Sequence, residues 1–165
     1  MIRWLEDKSE KERITRDTLE DLPEWFGIPE ANDLYEREAG ECEVVIKEVD
    51  GVPAGFFAVR ATGDKTLSLH VLGVKREYHR QGIGKELFRE IQTYAKRKGY
   101  RFLTVKTLDP SRDSEGYRRT RLFYERLGFV KVETFPTLWD EEIPCLFMAR
   151  HVDDEKNTDG CVRSC

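Results

Sequence analysis

Apolar and polar positions follow three different rhythms along the chain, and these rhythms predict its elements. Ile2 to Leu5 is a short apolar run, the length of a strand. Ser9 to Leu22 has a helical period, with Ile14, Leu19 and Leu22 as core positions and Pro23 as its stop. Pro29 opens a second helix that places Ala31, Leu34 and Tyr35 on one face. Cys42 to Val49 and Pro53 to Ala61 are β-rich and flank Asp50-Gly51, a hairpin turn. Thr66 to Val74 is a further strand. Lys85 to Lys98 returns to the helical period through Leu87, Phe88, Ile91 and Ala95, with Gly99 as its cap. Tyr100 to Leu108 is a strand, Gly116 to Leu127 a helix stopped by Gly128, and Phe129 to Phe135 and Cys145 to His151 two last strands. The order β-α-α-β-β-β-α-β-α-β-β predicts an α/β (mixed α+β) fold. Its sheet is mixed, mostly antiparallel and six- to seven-stranded, with helices on both faces.

Two segments break these rhythms. Trp25-Phe26-Gly27-Ile28 is bulky and apolar where a loop belongs, so its aromatics either fold onto the core or wall a pocket. Between the strand ending at Val74 and the next helix stands His79-Arg80-Gln81-Gly82-Ile83-Gly84-Lys85. Glycines at a helix opening expose backbone N–H groups at the positive end of the helix dipole, a ready site for phosphate or pyrophosphate. A side chain at Gly82 or Gly84 would hold a ligand off that backbone. Such a pair also serves simply as a tight turn. A dinucleotide fingerprint would need a third glycine where Leu87 stands, and Gly84-Lys85-Glu86 does not supply a Walker loop.

Composition narrows the partners. The 165 residues suit one domain, expected over 1–151, with 152–165 as a flexible tail. The 28 basic and 32 acidic residues are intermixed and give a net charge of −4, which does not point to nucleic acid. Lys96-Arg97-Lys98 sits where cations complement a helix C-terminus. No apolar run approaches the roughly 20 residues of a membrane span, and the charged N-terminus lacks a secretory segment, so a cytoplasmic protein without a membrane partner is expected. Cys42 and Cys145 fall in predicted strands as small apolar residues. Cys161 and Cys165 lie in the tail with spacing that makes a poor zinc site, and no metal is expected.

The element order, the glycine turn and Arg121-Leu122-Phe123-Tyr124-Glu125-Arg126-Leu127-Gly128-Phe129 together resemble the GCN5-related N-acetyltransferase superfamily. Its glycine motif is Gln/Arg-x-x-Gly-x-Gly/Ala; the chain matches it at Gly82 and Gly84 and departs at His79. The resemblance covers Met1 to His151 and implies the acyl-CoA N-acyltransferase fold, acetyl-CoA as co-substrate and a primary amine as acceptor. It implies that the amides from Gln81 to Lys85, including Ile83, hold the CoA pyrophosphate. The strand edge Leu72, Gly73 and Val74 would pair with the pantetheine amides, a form of strand addition. Arg80 either adds charge to the phosphates or is a solvated turn residue. Tyr124 matches the position that protonates the departing thiolate, against the plainer reading of a helix tyrosine packed on the core.

Ser68-Leu69-His70-Val71-Leu72 looks similar to a strand of arylalkylamine acetyltransferases that bears catalytic histidines. His70 is thereby the first candidate for the base, against a hydrogen-bonded core histidine. Glu77, Asp109 and Glu115 are weaker ones. No cysteine suggests an acyl-enzyme, so direct attack in a ternary complex is preferred. Trp25, Phe26, Tyr35, Tyr117 and Trp139, with the acids of Leu138 to Glu142, would serve an acceptor pocket. Small amine and peptide or protein amine acceptors both stay open, as does a homodimer. Two other classes compete: a CoA-binding regulatory module without turnover, and an interaction domain that binds no CoA.

Overall fold

The computed structural model describes residues 1–154. They form seven strands and four α-helices: β1 (Ile2–Leu5), α1 (Lys8–Glu20), α2 (Pro29–Gly40), β2 (Glu43–Val49), β3 (Val52–Gly63), β4 (Thr66–Val74), α3 (Ile83–Lys98), β5 (Phe102–Leu108), α4 (Glu115–Arg126), β6 (Val130–Asp140) and β7 (Ile143–His151). The order is the expected one, and the fold class is mixed α/β with mostly antiparallel strands. The chain divides into two compact units, Met1–Arg60 with Leu69–Tyr94, and Ala61–Ser68 with the chain from Ala95 onward.

Local chemistry sets the element ends in the first unit. Asp7 caps α1 by accepting from the Glu10 N–H at 2.8 Å. Pro29 occupies the first turn of α2, where its missing N–H costs nothing. The β2–β3 hairpin turns through Asp50 (φ 51°) and Gly51 (φ 77°), the left-handed pair that a tight primed turn demands. Its ladder sets Val45 opposite Phe57 and Ile46 opposite Phe56.

Strand alternation then assigns the faces. Leu5, Val44, Ile46, Phe56, Ala58 and Val71 join Ile14, Leu19 and Ala39 of α1 and α2 in one buried cluster. Their alternates face α3: the Trp4 indole donates to Glu90 at 2.9 Å and stacks on Tyr94, and Lys47 pairs with Glu86 at 2.7 Å. Helices therefore cover both faces of the strands of this unit. On α3 the expected Leu87, Phe88, Ile91 and Ala95 are all buried.

In the second unit β7 lies between β5 and β6, antiparallel to both. Ser114 caps α4 by accepting from the Tyr117 N–H. The Arg150 guanidinium, 5% exposed, donates to the Leu127 and Asp154 carbonyls, so a buried cation satisfies the end of α4.

Three details differ from the sequence expectations. Leu34 is 44% exposed, because the buried stripe of α2 runs through Tyr35 and Ala39 and Leu34 lies a quarter-turn off it. The strand expected to stop at Phe135 continues to Asp140 through Pro136; an outer strand tolerates the missing N–H, and its pairing is irregular there. Cys42 precedes β2 rather than lying in it, but is buried as expected. Past the last strand, Val152 is buried and its N–H reaches the Arg101 carbonyl at 2.8 Å. The rest of the expected tail, with Cys161 and Cys165, lies outside the described residues.

Phe56 is fully buried at the centre of the first cluster. Phe56→Ala is expected to lower unfolding free energy by about 3–5 kcal/mol, read as a urea midpoint shift at unchanged slope.

Candidate functional site

β4 ends where the Lys75 N–H returns to the Ala54 carbonyl at 2.9 Å, and the chain enters a single 3-10 turn, Arg76–Tyr78. Two left-handed residues follow, Arg80 (φ 62°) and Gly82 (φ 79°), with Gln81 between them and its side chain donating to the Glu77 carbonyl at 3.0 Å. The first α3 bond runs from the Glu86 N–H to the Gly82 carbonyl at 3.0 Å. The amides of Ile83, Gly84 and Lys85 thus precede the first helical donor, Glu86, at the positive end of the dipole. A Cβ on Gly82 would meet nothing within 4 Å, so the space over this backbone is open. Such a turn suits an oxyanion.

His79, the departure from the glycine motif, has a visible task. Its Nε2–H donates to the Val74 carbonyl at 2.6 Å, and its ring stands edge-on to Trp25 with centroids 6.1 Å apart. The ring therefore ties the turn back to the end of β4. Gly73 likewise has a packing reason: a Cβ there would lie 3.0 Å from Leu22 Cδ1 and 3.1 Å from Thr18 Cγ2.

The segment after α1 is fastened to this turn by contacts no sequence pattern announced. Arg76 NH2 meets both Glu24 oxygens at 2.5 and 2.6 Å, and the Arg76 N–H donates to Asp21 Oδ2 at 2.6 Å. Trp25 thereby reaches His79, while Phe26 packs on the buried cluster and edge-on to Tyr35, centroids 5.9 Å apart. Asn32 Nδ2 donates to the Phe26 carbonyl at 2.8 Å. Of the expected aromatics, Phe26 and Tyr35 pack on each other and Trp25 lies against His79; Tyr117 and Trp139 belong to the second unit.

His70 joins the same group. Its Nε2 bonds Glu38 Oε2, and its ring lies 6.3 Å from that of Tyr35. Burial pushes the Tyr35 phenol above its ordinary value, with the Glu38 charge acting in the same direction. Sequence reasoning missed Glu38, which is 32 residues from His70 in the chain.

In the second unit Tyr124 is 4% exposed and packs against Phe123 and Phe129, each ring 5.9 Å away. Burial, and secondarily Tyr117, push its phenol well above the ordinary value. It is both a packed residue and a phenol that stays protonated. Of the weaker base candidates, Asp109 has its carboxyl raised by burial but held lower overall by bonds from Ser111 and Thr134. Glu115 is held low by Arg118. Both carboxylates are engaged locally. Among the described residues no group of three or more His, Cys, Asp or Glu is placed to hold a metal, and no helix is long and apolar enough to cross a membrane.

Residues 4–129 match the model of the acetyltransferase (GNAT) family, well over half of the chain. The chain belongs to that family. Solved structures agree in fold at low identity. A GNAT-family protein from Desulfovibrio desulfuricans superposes with a TM-score of 0.78 at 19% identity, covering 92% of this chain and 99% of its own. The aminoglycoside 6′-N-acetyltransferase of Enterococcus faecium gives 0.69 at 21% identity, with 92% and 97% covered. The ribosomal-protein-S18-alanine N-acetyltransferase of Escherichia coli gives 0.69 at 17%, with 92% and 94% covered. No curated protein matches the sequence.

The two glycines can be told apart. Gly82→Ala forces a left-handed Cβ residue and is expected to cost about 1–2 kcal/mol by strain alone. Gly73→Ala, by contrast, is expected to displace the methyl NMR signals of Leu22 and Thr18, which Gly82→Ala leaves in place.

Proposed function

We propose that the protein is an acyl-CoA-dependent N-acyltransferase that moves an acetyl group from acetyl-CoA to a primary amine by direct attack in a ternary complex. The observation that carries this is the open glycine turn on α3, with three amides ahead of the first helical donor and free space over Gly82. The first-turn amides of Ile83, Gly84 and Lys85, with that of Gln81, would hold the pyrophosphate, and Arg80 and Lys85 add positive charge beside it. The edge at Leu72, Gly73 and Val74 would receive the pantetheine amides; His79 already occupies the Val74 carbonyl. A related fold has been solved with coenzyme A bound, that of an aminoglycoside 6′-N-acetyltransferase. Family neighbours that acetylate an aminoglycoside and a ribosomal-protein alanine both support an amine acceptor, small or peptidic.

The chain's residues must meet two demands. An amine with a pKa of about 10.4 is neutral only about once in 2,500 molecules at pH 7, roughly 4.6 kcal/mol uphill. His70 is the proposed base, and a base at that position relieves much of this cost. The leaving thiolate must take a proton, and Tyr124 is the proposed donor. Burial raises its pKa, so the phenol remains protonated across the neutral range and beyond its free value near 10. Cys42 is a poor nucleophile, because burial pushes its thiol up to about 11, and this favours direct attack over an acyl-cysteine route.

Calorimetry with CoA on the full chain is expected to give saturable binding at micromolar to low millimolar ligand, and no heat at millimolar CoA would refute the cradle. Gly82→Asp puts a carboxylate beside the phosphates and is expected to weaken CoA at least tenfold. Tyr124→Phe is expected to lower kcat for thiol release at least tenfold while CoA affinity holds within about twofold; an unchanged kcat removes it as the acid. A chain that binds CoA but acylates no amine would instead be a regulatory module.

A further inference from the structure

The two faces of β5, β7 and β6 in the second unit are unequally covered. Leu103, Val105 and Thr107 on β5 and Leu146, Met148 and Arg150 on β7 are buried. Their alternates meet solvent: Phe102 is 45% exposed, Lys106 and His151 are exposed, and Phe147 and Ala149 are half-buried. Only the small Thr104 and Cys145 among those alternates are buried. Directly opposed residues of an antiparallel pair share a face, so the register carries this open face on to β6. It sets Val130, Glu133 and Phe135 opposite Ala149, Phe147 and Cys145. Val130 is 59% exposed, and Val132, at a register shift, is exposed as well. Apolar side chains gathered on one open face mark an interaction surface.

The charges on this face select its occupant. Phe147 stands in the middle of a row of three, with Lys106 of β5 on one side and Glu133 of β6 on the other. The Lys106 ammonium lies 5.9 Å from the centroid of the Phe147 ring, and the Phe135 ring lies 6.3 Å from it. Among the described residues neither Lys106 nor Glu133 has an ion-pair partner. We propose that this face docks on the same face of a second copy of the chain, about a two-fold axis that runs parallel to β7 over Phe147. Rotation about that axis exchanges the flanking strands, so each Lys106 meets the second copy's Glu133 and Phe147 meets its own counterpart. In the neighbouring rows Phe135 meets Leu108, and Val130 meets the smaller Thr104. A two-fold across the strands would set Lys106 on Lys106 and Glu133 on Glu133, and like-charge repulsion disfavours it. Sheets packed face to face lie about 10 Å apart, which a lysine and a glutamate reaching toward each other can span. Strand addition is the other way for two copies to meet, and β6 is guarded against it. Pro136 lacks the N–H, and the ladder shifts register between Lys131 and Glu133 and between Phe135 and Asp140. Three strands about 4.8 Å apart give a narrow face, smaller than the roughly 800 Å² per partner of a standard interface, so the dimer is reversible at micromolar concentration.

Sedimentation equilibrium of the full chain reads the association directly, at low salt where exposed charges are least screened. Wild type is expected to pass from monomer to dimer between about 10 and 500 µM. Lys106→Glu and Glu133→Lys each set like charges face to face, and each alone is expected to weaken the dimer at least tenfold. Mixed in equal amounts, the two variants regain both ion pairs across one heterodimer. The double variant regains them in a homodimer. Both are expected to recover at least half of the wild-type dimer fraction. Val130→Lys, at an exposed position, is expected to weaken the dimer while the monomer's urea midpoint stays unchanged. A chain that stays monomeric at about 500 µM overturns the proposal. So does a dimer that both charge reversals leave intact, or one that the mixture fails to restore.

Discussion

A Cβ at Gly73 would lie 3.0 Å from Leu22 Cδ1 and 3.1 Å from Thr18 Cγ2, so α1 and the residues just after it lie close over β4 at this glycine. A second glycine repeats the constraint one strand over, where a Cβ at Gly55 would sit 3.0 Å from the Gly73 carbonyl. Interiors pack without spare room, so a methyl at either place would require its neighbours to give by a few tenths of an ångström. This closeness sets where the C-terminal end of α1 points, and the segment Asp21 to Phe26 follows from it. Asp21 and Glu24 arrive beside Arg76, and Trp25 arrives beside His79.

The same contact links the two candidate halves of the first unit. On one side is the glycine turn, which the Arg76 and His79 bonds hold against β4. On the other are Phe26, Tyr35, Glu38 and His70, which stand on the elements that α1 fastens. Individually these polar contacts are small. The Arg76–Glu24 pair is about half exposed on both sides, and such pairs contribute of order 0–1 kcal/mol. Their effect is positional: they choose one arrangement of a segment whose stability comes from the aromatic residues packed beneath it.

Much of this was legible in the sequence, for a physical reason. Helical and strand periods report which face an element buries, and burial is what these elements share, so the core positions of α3 and the hairpin at Asp50-Gly51 could be read directly. What stayed hidden depends on the third dimension. Glu38 meets His70 across 32 residues, and Arg76 meets Glu24 across 52; no local period encodes either pairing. Leu34 was misplaced because a helix's phase is set by the turn that docks best, here the one carrying Tyr35 and Ala39. Gly73 was read as part of a backbone edge for a ligand; that its missing side chain also makes room for Leu22 and Thr18 is visible only in three dimensions.

Charge placement around the turn shows why His79 suits this chain. The glycine motif of the family puts Gln or Arg there, and a cation at that position would add to the anion site. In this chain Asp21 and Glu24 are drawn toward the turn by the close approach of α1, and two carboxylates beside a pyrophosphate site would repel it. Arg76 answers both, with its guanidinium on Glu24 and its backbone N–H on Asp21. With Arg76 so engaged, the α3 dipole, Arg80 and Lys85 are the positive charges that an anion at the proposed site would meet, and Arg80 and Lys85 flank Gln81 in the chain. A second long cation at residue 79 would compete with Arg76 for the same acids. A compact imidazole bonded to the Val74 carbonyl does not, and it offers Trp25 an edge to pack on. The departure at His79 is therefore tied to the acids of the α1 segment, and it leaves the turn's backbone amides to the ligand proposed for them.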